Sequence, residues 1–134
     1  MKIDRSILPP GKIGLAVSGG SDSVALAFLL TKGGKKKNAA KRFVVLHVDH
    51  GLRKESKEEY RFVRSLARRL GIPFKGIHAK VVKRRGESLE MAARRVRLAF
   101  FATFKNQNQK YFPVECMVLK KKALGAVEFH QDLV

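Results

Sequence analysis

The residues best placed to do chemistry form a short run of serines and glycines near the amino end. The run lies between two apolar segments, residues 13–17 and 24–30. Its members, in order, are Ser18, Gly19, Gly20, Ser21, Asp22 and Ser23. An apolar segment that stops at glycines is typical of a buried strand entering a tight turn, and the apolar segment after the turn favours a helix.

This context predicts a phosphate-binding loop. Backbone N–H groups at a helix start converge on an anion, glycines permit close approach, and serine hydroxyls add donors. No lysine follows the glycines as a Gly-x-x-x-x-Gly-Lys-Ser/Thr loop requires, and there is no Gly-x-Gly-x-x-Gly, so two common nucleotide-binding motifs are excluded. A plain glycine turn with a Ser or Asp helix cap is the structural alternative.

A second polar run follows the apolar, β-branched residues 43–48. It consists of His47, Val48, Asp49, His50, Gly51, Leu52 and Arg53. A strand without polar alternation is typical of a parallel sheet buried on both faces, in which ligands lie at the carboxyl ends of the strands. Both polar runs therefore belong at the same edge of the sheet, although Asp49 and His50 could equally form a hydrogen-bonded loop pair.

The remaining elements continue the alternation of strands and helices. Ser56 and Glu59 fit a capping box before a helix that ends at Gly71 and Pro73, and its predicted apolar positions are Phe62, Val63, Leu66, Ala67 and Leu70. A third strand is predicted over 74–82, a basic turn over 83–86, and a helix capped by Ser88 whose apolar face runs from Leu89 to Phe104. Residues 111–119 are a weaker candidate strand, interrupted by Pro113 and Glu115. The pattern predicts a doubly wound, mostly parallel α/β sheet, incomplete at its carboxyl end.

Charge and composition narrow the class of partner. The chain has 29 Lys and Arg against 11 Asp and Glu, a net charge of +18 that is spread over both halves. Nucleic acid is the first polyanion to consider and anionic lipid the second, while a thermophilic or ribosome-associated origin also raises the count. The basic runs at 35–37, 83–85 and 120–122 are expected to be general surface charge.

The absence of other signals excludes several classes. One cysteine, Cys116, cannot form an internal disulfide or hold a structural zinc by itself, and is expected to be a small buried residue. The longest apolar run, residues 24–30, is too short for a membrane helix, and the amino end lacks a secretory pattern. A cytoplasmic protein without a membrane segment is expected.

The loop at residues 18–23 resembles the Ser-Gly-Gly-x-Asp-Ser signature of the N-type ATP pyrophosphatases, also called the PP-loop family. The run at 47–53, Leu70-Gly71-Ile72-Pro73 and residues 86–101 are similar to the tRNA(Ile)-lysidine synthetase branch, so the likeness covers about residues 12–104. Ser21 separates the loop from sulfur-transfer relatives, which have Lys there and more cysteines. The resemblance implies an adenine nucleotide alpha hydrolase-like fold, and ligation of L-lysine to the wobble cytidine of isoleucine tRNA (CAU anticodon) through an adenylated intermediate.

The resemblance also implies roles for individual residues. ATP would bind at Ser18, Gly19, Gly20, Ser21, Asp22, Ser23, His47 and Val48, with the loop around the pyrophosphate and the last two beside the adenine. Asp22 would hold Mg²⁺ and, with Arg94, would be catalytic. Asp49, His50 and Arg53 would shape the loop beside the reacting groups, and Arg97 would reach phosphate or the tRNA backbone, with solvated helix arginines as the alternative for Arg94 and Arg97.

The carboxyl-terminal part departs from the family pattern. A His-His-x-x-Asp-Asp motif is absent, and His130 and Asp132 are spaced differently. We expect residues 1–105 to be the front portion of an adenylation domain and 106–134 a divergent tail, completed by a second polypeptide or by self-association. The alternatives are a noncatalytic nucleotide- or RNA-binding remnant and another PP-loop enzyme that modifies tRNA.

Overall fold

Strands and helices alternate along the chain, as the sequence pattern predicts. The computed structural model describes residues 8–32, 42–116, 118 and 119. Within these residues the elements are β1 (Lys12–Ala16), α1 (Ser21–Lys32), β2 (Phe43–Asp49), α2 (Ser56–Leu70), β3 (Phe74–His78), α3 (Leu89–Gln107) and β4 (Tyr111–Glu115). No helix in this part of the chain combines the length and the apolar character that crossing a bilayer requires.

The four strands form one parallel sheet in the order β3-β2-β1-β4. All seven residues of β2 are buried, which is why its sequence lacks the alternation of a half-exposed strand. β4 lies at one edge of the described sheet, where Pro113 pairs with Gly14 of β1. A proline is tolerated there because an edge strand needs backbone donors on one side only. The predicted α/β class and parallel sheet are confirmed.

Helices cover both faces of the sheet. On one face, α1 and α2 pack on a core that includes Leu15, Phe43 and Val63. On the other face, α3 places Phe101 and Phe104 against β1 and β2. Gly14 makes this close packing possible, because a Cβ atom there would lie 2.8 Å from Cδ1 of Leu46 and 3.1 Å from Cε1 of Phe104.

The start of α2 differs from the predicted capping box. Glu55 occupies the cap position without a side-chain hydrogen bond, and the Ser56 hydroxyl instead accepts the backbone N–H of Arg53 at 3.2 Å. The serine is used to close the turn before the helix and is therefore not free to cap it. Phe62 is 48% exposed and does not belong to the core face. Gly71 ends the helix with φ of 71°, as predicted.

Two strands are shorter than the sequence suggests. β3 ends at His78 because β2 ends at Asp49, whose carbonyl accepts the N–H of Ala79 as the last link between them. β4 ends at Glu115, and residues 116, 118 and 119 are helical. Ser88 caps α3 as predicted, accepting the N–H of Met91 at 3.1 Å. The glycine stop at 33–34, the basic runs 35–37 and 120–122, His130 and Asp132 lie outside the described residues.

Candidate functional site

A cavity of about 620 Å³ opens where β1, β2 and β4 end. Its walls are the β1–α1 loop, the end of β2 with the loop after it, the first turn of α2, one side of α3 and the residues after β4. The predicted site residues among its lining are Ser18, Gly20, Ser21, Asp22, Ser23, His47, Val48, Asp49, His50, Arg53 and Arg97. The two polar runs therefore do meet at one edge of the sheet.

The β1–α1 loop is held by a ring of hydrogen bonds among its own atoms. The Ser23 hydroxyl donates to the Gly20 carbonyl at 3.0 Å, and the Ser18 and Ser23 oxygens are 3.0 Å apart. Since the Ser23 proton is already used, the Ser18 hydroxyl donates to Ser23, and it accepts the Gly20 N–H at 3.4 Å. The loop thus carries its own network of hydrogen bonds.

Gly19 and Asp22 complete the loop. Gly19 has φ of 93°, a left-handed conformation that glycine adopts without strain, and it lies in the loop without lining the cavity. Asp22 is in the first turn of α1 and does line the cavity, at the end of the helix whose dipole attracts anions. Within the described chain no three or more His, Cys, Asp or Glu side chains group to hold a metal ion by themselves. One carboxylate beside a phosphate cradle nevertheless fits Mg²⁺, which binds through one or two carboxylates and substrate phosphates.

His47 ties the end of β2 to the end of β1. It is buried, and its Nδ1 is 2.6 Å from the carbonyl oxygen of Val17. A carbonyl only accepts, so Nδ1 carries the proton and donates it. The adjacent Val48 is buried as well and lines the cavity, which is compatible with the predicted position beside a base.

Both oxygens of Asp49 have hydrogen-bond partners. Oδ1 accepts the Gly51 N–H at 2.9 Å, and Oδ2 accepts Nδ1–H of His78 at 2.7 Å. Burial by itself raises the pKa of Asp49, but the hydrogen bonds from His78 and Gly51 outweigh it, so the pKa lies below its ordinary value. Asp49 is therefore an ionised side chain that fixes the loop, in line with the structural alternative for this residue. His78 was not predicted, although a histidine at the end of the neighbouring strand is a signal that could have found it.

His50 presents a buried nitrogen that has no partner in the described part of the chain. Its Nδ1 is out of contact with solvent and makes no hydrogen bond there. Burial is the main cause that lowers the pKa of His50, and the positive charge of Arg97 lowers it further. The ring is thus neutral near pH 7, and His50 is among the residues that line the cavity.

Arg97 and Glu115, which both line the cavity, form an ion pair with Nε of the arginine 2.9 Å from Oε1 of the glutamate. Glu115 is a further residue that the sequence analysis missed, because its position depends on where β4 pairs. Arg53 forms an exposed pair with Glu59 at 2.6 Å. The Arg94 side chain is exposed on α3 and does not line the cavity, so its catalytic role stays a prediction without geometric support.

Cys116 also lines the cavity but is only 3% exposed. Burial, with a smaller contribution from the charge of Glu115, raises the pKa of its thiol to about 12. The thiol stays protonated at neutral pH and is not a nucleophile. This bears out the expectation of a small buried residue.

Comparison with known proteins identifies the family of the chain. Residues 2–117 match the family described as "PP-loop domain". The chain belongs to the PP-loop family. Similar proteins include a tRNA(Ile)-lysidine synthase of Thermus thermophilus, 50% identical over 97 residues, which are 70% of this chain and 18% of that protein. The enzyme of the same name from Zymomonas mobilis is 42% identical over 94 residues, 69% of this chain and 26% of its own length. That of Wolbachia pipientis is 35% identical over 113 residues, 84% of this chain and 26% of its own length.

The PP-loop fold is also seen in a solved structure. The U34-tRNA thiolase NcsA from Methanococcus maripaludis, with its [4Fe-4S] cluster, superposes with a TM-score of 0.65 at 14% identity. The superposition covers 97% of this chain and 52% of the thiolase, and it shows a shared fold. The PP-loop chain spans between 18% and 26% of the length of the three tRNA(Ile)-lysidine synthases named above. The predicted PP-loop family is confirmed, and relatives named tRNA(Ile)-lysidine synthase resemble this chain over part of their own length.

Proposed function

We propose that this PP-loop chain carries the ATP-binding and adenylation site of a tRNA(Ile)-lysidine synthetase. The observation that carries the proposal is the convergence of the serine-glycine loop, the end of β2 and Arg97 on one cavity at the carboxyl edge of the sheet. The reaction would adenylate the wobble cytidine of isoleucine tRNA and release pyrophosphate. The amine of L-lysine would then displace AMP.

The loop supplies the binding of the triphosphate. Its hydrogen-bonded ring of Ser18, Gly20 and Ser23 sets a fixed shape at the positive end of α1, so little ordering is needed when phosphates bind. Asp22 would hold Mg²⁺, which screens the negative charge of the phosphates when bound. The cavity, at about 620 Å³, is in the size range of small-molecule sites.

Arg97 of α3 supplies a positive charge to the cavity, and His50 after β2 supplies a neutral ring. Arg97 is kept in place by Glu115 and faces the same cavity, where its guanidinium would bind a phosphate or the developing charge at the α-phosphate. His50, which is neutral near pH 7, would hydrogen-bond the wobble cytidine that is being adenylated. Asp49 and His47 would act by holding the two strand ends in register.

A noncatalytic nucleotide- or RNA-binding module is the second candidate. It is favoured by the exposed position of Arg94, which does not line the cavity. Another PP-loop enzyme that modifies tRNA by sulfur transfer is less well supported, since the one cysteine is buried and protonated.

ATP binding followed by ATP–pyrophosphate exchange distinguishes these candidates. Both would be measured with Mg²⁺, L-lysine and unmodified isoleucine tRNA, for the chain, for Asp22→Asn and for Glu58→Gln, a control that removes one exposed carboxylate from α2. Exchange that is lost in Asp22→Asn and kept in Glu58→Gln supports the synthetase. ATP binding without exchange supports the binding module. A folded chain that does not bind ATP refutes the synthetase and the nucleotide-binding module, and leaves only an RNA-binding module.

A further inference from the structure

The exposed side of α2 carries an uncompensated line of positive charge. Lys57, Arg61, Arg64 and Arg68 recur at intervals of four, three and four residues, which places them on one face of the helix. All four side chains are exposed. We call these four residues the basic stripe, which is about 16 Å long at the helical rise of ~1.5 Å per residue. None of the ion pairs found in the described residues includes any of them.

A pair of stacked rings lies beside this basic stripe. The rings of Tyr60 and His78 are 4.2 Å apart between centroids and inclined by 33°. Asp49 fixes the His78 ring through its hydrogen bond at 2.7 Å, while 61% of the His78 side chain remains exposed. Lys57, Arg61 and Arg64 line a shallow cavity of about 240 Å³ together with the two rings.

We propose that the basic stripe and the Tyr60–His78 stack bind a single-stranded segment of RNA. The cations would contact successive phosphates, and an unpaired base would stack on the exposed surface of His78. Aromatic side chains beside cations suit unpaired nucleotides, because bases inside a duplex do not expose their faces. This inference rests on the proposed function for the choice of RNA, and it adds the surface that would hold the nucleotides flanking the modified one.

The arrangement of α2 argues against an anionic membrane as the partner. A helix that lies in a membrane surface presents apolar side chains bordered by basic ones. Phe62, the large exposed apolar residue of α2, projects about 130° around the helix from the centre of the basic stripe. The rings that do border the stripe, Tyr60 and His78, carry polar atoms.

The position of the stack links this surface to the larger cavity. Asp49 lines the 620 Å³ cavity, and the same carboxylate holds His78 in the smaller one. Ser56 and Glu59 at the start of α2 also line the larger cavity, so an RNA strand bound along α2 would lie on an element that forms part of its wall. A nucleotide next to the stacked base would have a short path into the proposed adenylation site.

The test measures RNA affinity of the full 134-residue chain by fluorescence anisotropy. The probes are a labelled single strand of about 12 nucleotides and the corresponding RNA duplex, each titrated from about 50 to about 300 mM KCl, the range over which phosphate contacts change affinity steeply. The stripe variant is Lys57→Gln/Arg61→Gln/Arg64→Gln. The matched control, Lys80→Gln/Lys83→Gln/Arg85→Gln, removes the same charge from exposed residues before α3.

We expect the stripe variant to bind the single strand at least about tenfold more weakly at roughly 150 mM KCl than the control variant does. Three phosphate contacts predict that the slope of log affinity against log salt falls by about 2. His78→Ala is expected to weaken single-strand binding at least about fivefold and to leave duplex binding unchanged, while His78→Phe keeps the stacking.

Equal losses in the stripe and control variants would overturn the proposal, because they indicate diffuse charge. So would a His78→Ala loss that is the same for single strand and duplex. Stripe-dependent binding to phosphatidylserine vesicles without stripe-dependent RNA binding would assign the surface to a membrane instead. ATP binding, measured on the same samples, reports on the proposed function separately. Its absence in the unsubstituted chain refutes that function, whereas ATP binding together with equal RNA losses in the stripe and control variants refutes only this surface.

Discussion

Replacing Gly76 with alanine should displace Tyr60 from the edge of the sheet. A Cβ atom at position 76 would lie 2.5 Å from Cε2 of Tyr60, 2.7 Å from its hydroxyl oxygen and 2.7 Å from Cζ of Phe74. Carbon atoms are in comfortable contact at about 3.5–4.0 Å, so the Tyr60 ring has to move by roughly 1 Å. Tyr60 and Phe74 are rigid rings packed edge to face, with 5.3 Å between their centroids. Neither has a flexible terminal group that could rotate away from the added methyl.

The expected cost follows from two opposing effects. Overpacking of this kind costs about 1–3 kcal/mol, and replacing a strand glycine with alanine recovers about 0.5–1 kcal/mol of conformational entropy. Together these ranges leave a net destabilisation of Gly76→Ala of about 0–2.5 kcal/mol, centred at ~1.3 kcal/mol, which lowers Tm by roughly 4–5 °C for a domain of this size.

Urea denaturation and near-ultraviolet circular dichroism test this expectation. The chain has two tyrosines and no tryptophan, so the near-ultraviolet signal of its tyrosines comes from the surroundings of Tyr60 and Tyr111. Lys75→Ala, on the exposed side of the same strand, is the control and should change stability by less than ~0.5 kcal/mol.

A double-mutant cycle with Tyr60→Ala decides whether the clash is the cause. Without the tyrosine ring, Gly76→Ala should be neutral or slightly stabilising. If Gly76→Ala costs the same in both backgrounds, the reasoning from Tyr60 is refuted and the destabilisation has another origin.

Three further predictions concern titration and reactivity. Asp49 has a pKa below its ordinary value, so its carboxylate contributes stability above about pH 4 that is lost as pH falls through the folded-state pKa. The difference in urea midpoint between the chain and Asp49→Asn should therefore shrink on acidification. A difference that stays constant from about pH 7 to about pH 3 would contradict this prediction. Arg97→Gln removes a positive charge that lowers the pKa of His50, so the pKa measured by NMR titration should rise towards its ordinary value, and no change would exclude that interaction. Cys116, with a thiol pKa of about 12, should resist iodoacetamide at about pH 8 in the folded chain and react fully in urea; stoichiometric labelling of the folded chain within minutes would contradict its burial.

Local signals in the sequence were sufficient for most elements of the fold. Apolar runs located β1, where the run stops at glycines, and β2, where it stops at polar residues, and helical periodicity located α2 and α3. Ser88 was predicted correctly as a cap, but Ser56 was not, although only Ser56 is followed three residues later by a glutamate; the two serines differ in what their hydroxyls contact. That difference depends on the turn before the helix, which periodicity does not describe.

The partners of the site residues were harder to predict than the residues themselves. The loop serines, Asp49 and His50 are recognisable because each follows an apolar strand. Glu115 and His78 were missed because their importance arises from strand neighbours, β4 beside β1 and β3 beside β2. Sheet order is a tertiary property, and a linear pattern does not specify which strand ends become adjacent.

The pairing of β4 with β1 also has a consequence for how the domain assembles. Lys12 and Tyr111 are register partners although roughly a hundred residues separate them, and contacts of such long range form late because closing a large loop costs entropy. Glu115 stands at the end of this last strand and anchors Arg97, so the cavity is completed only when the most distant contact is made. A nucleotide that binds only the completed cavity would then stabilise the native state by mass action. That stabilisation would depend on the pairing of β4 with β1, the contact that is expected to form last.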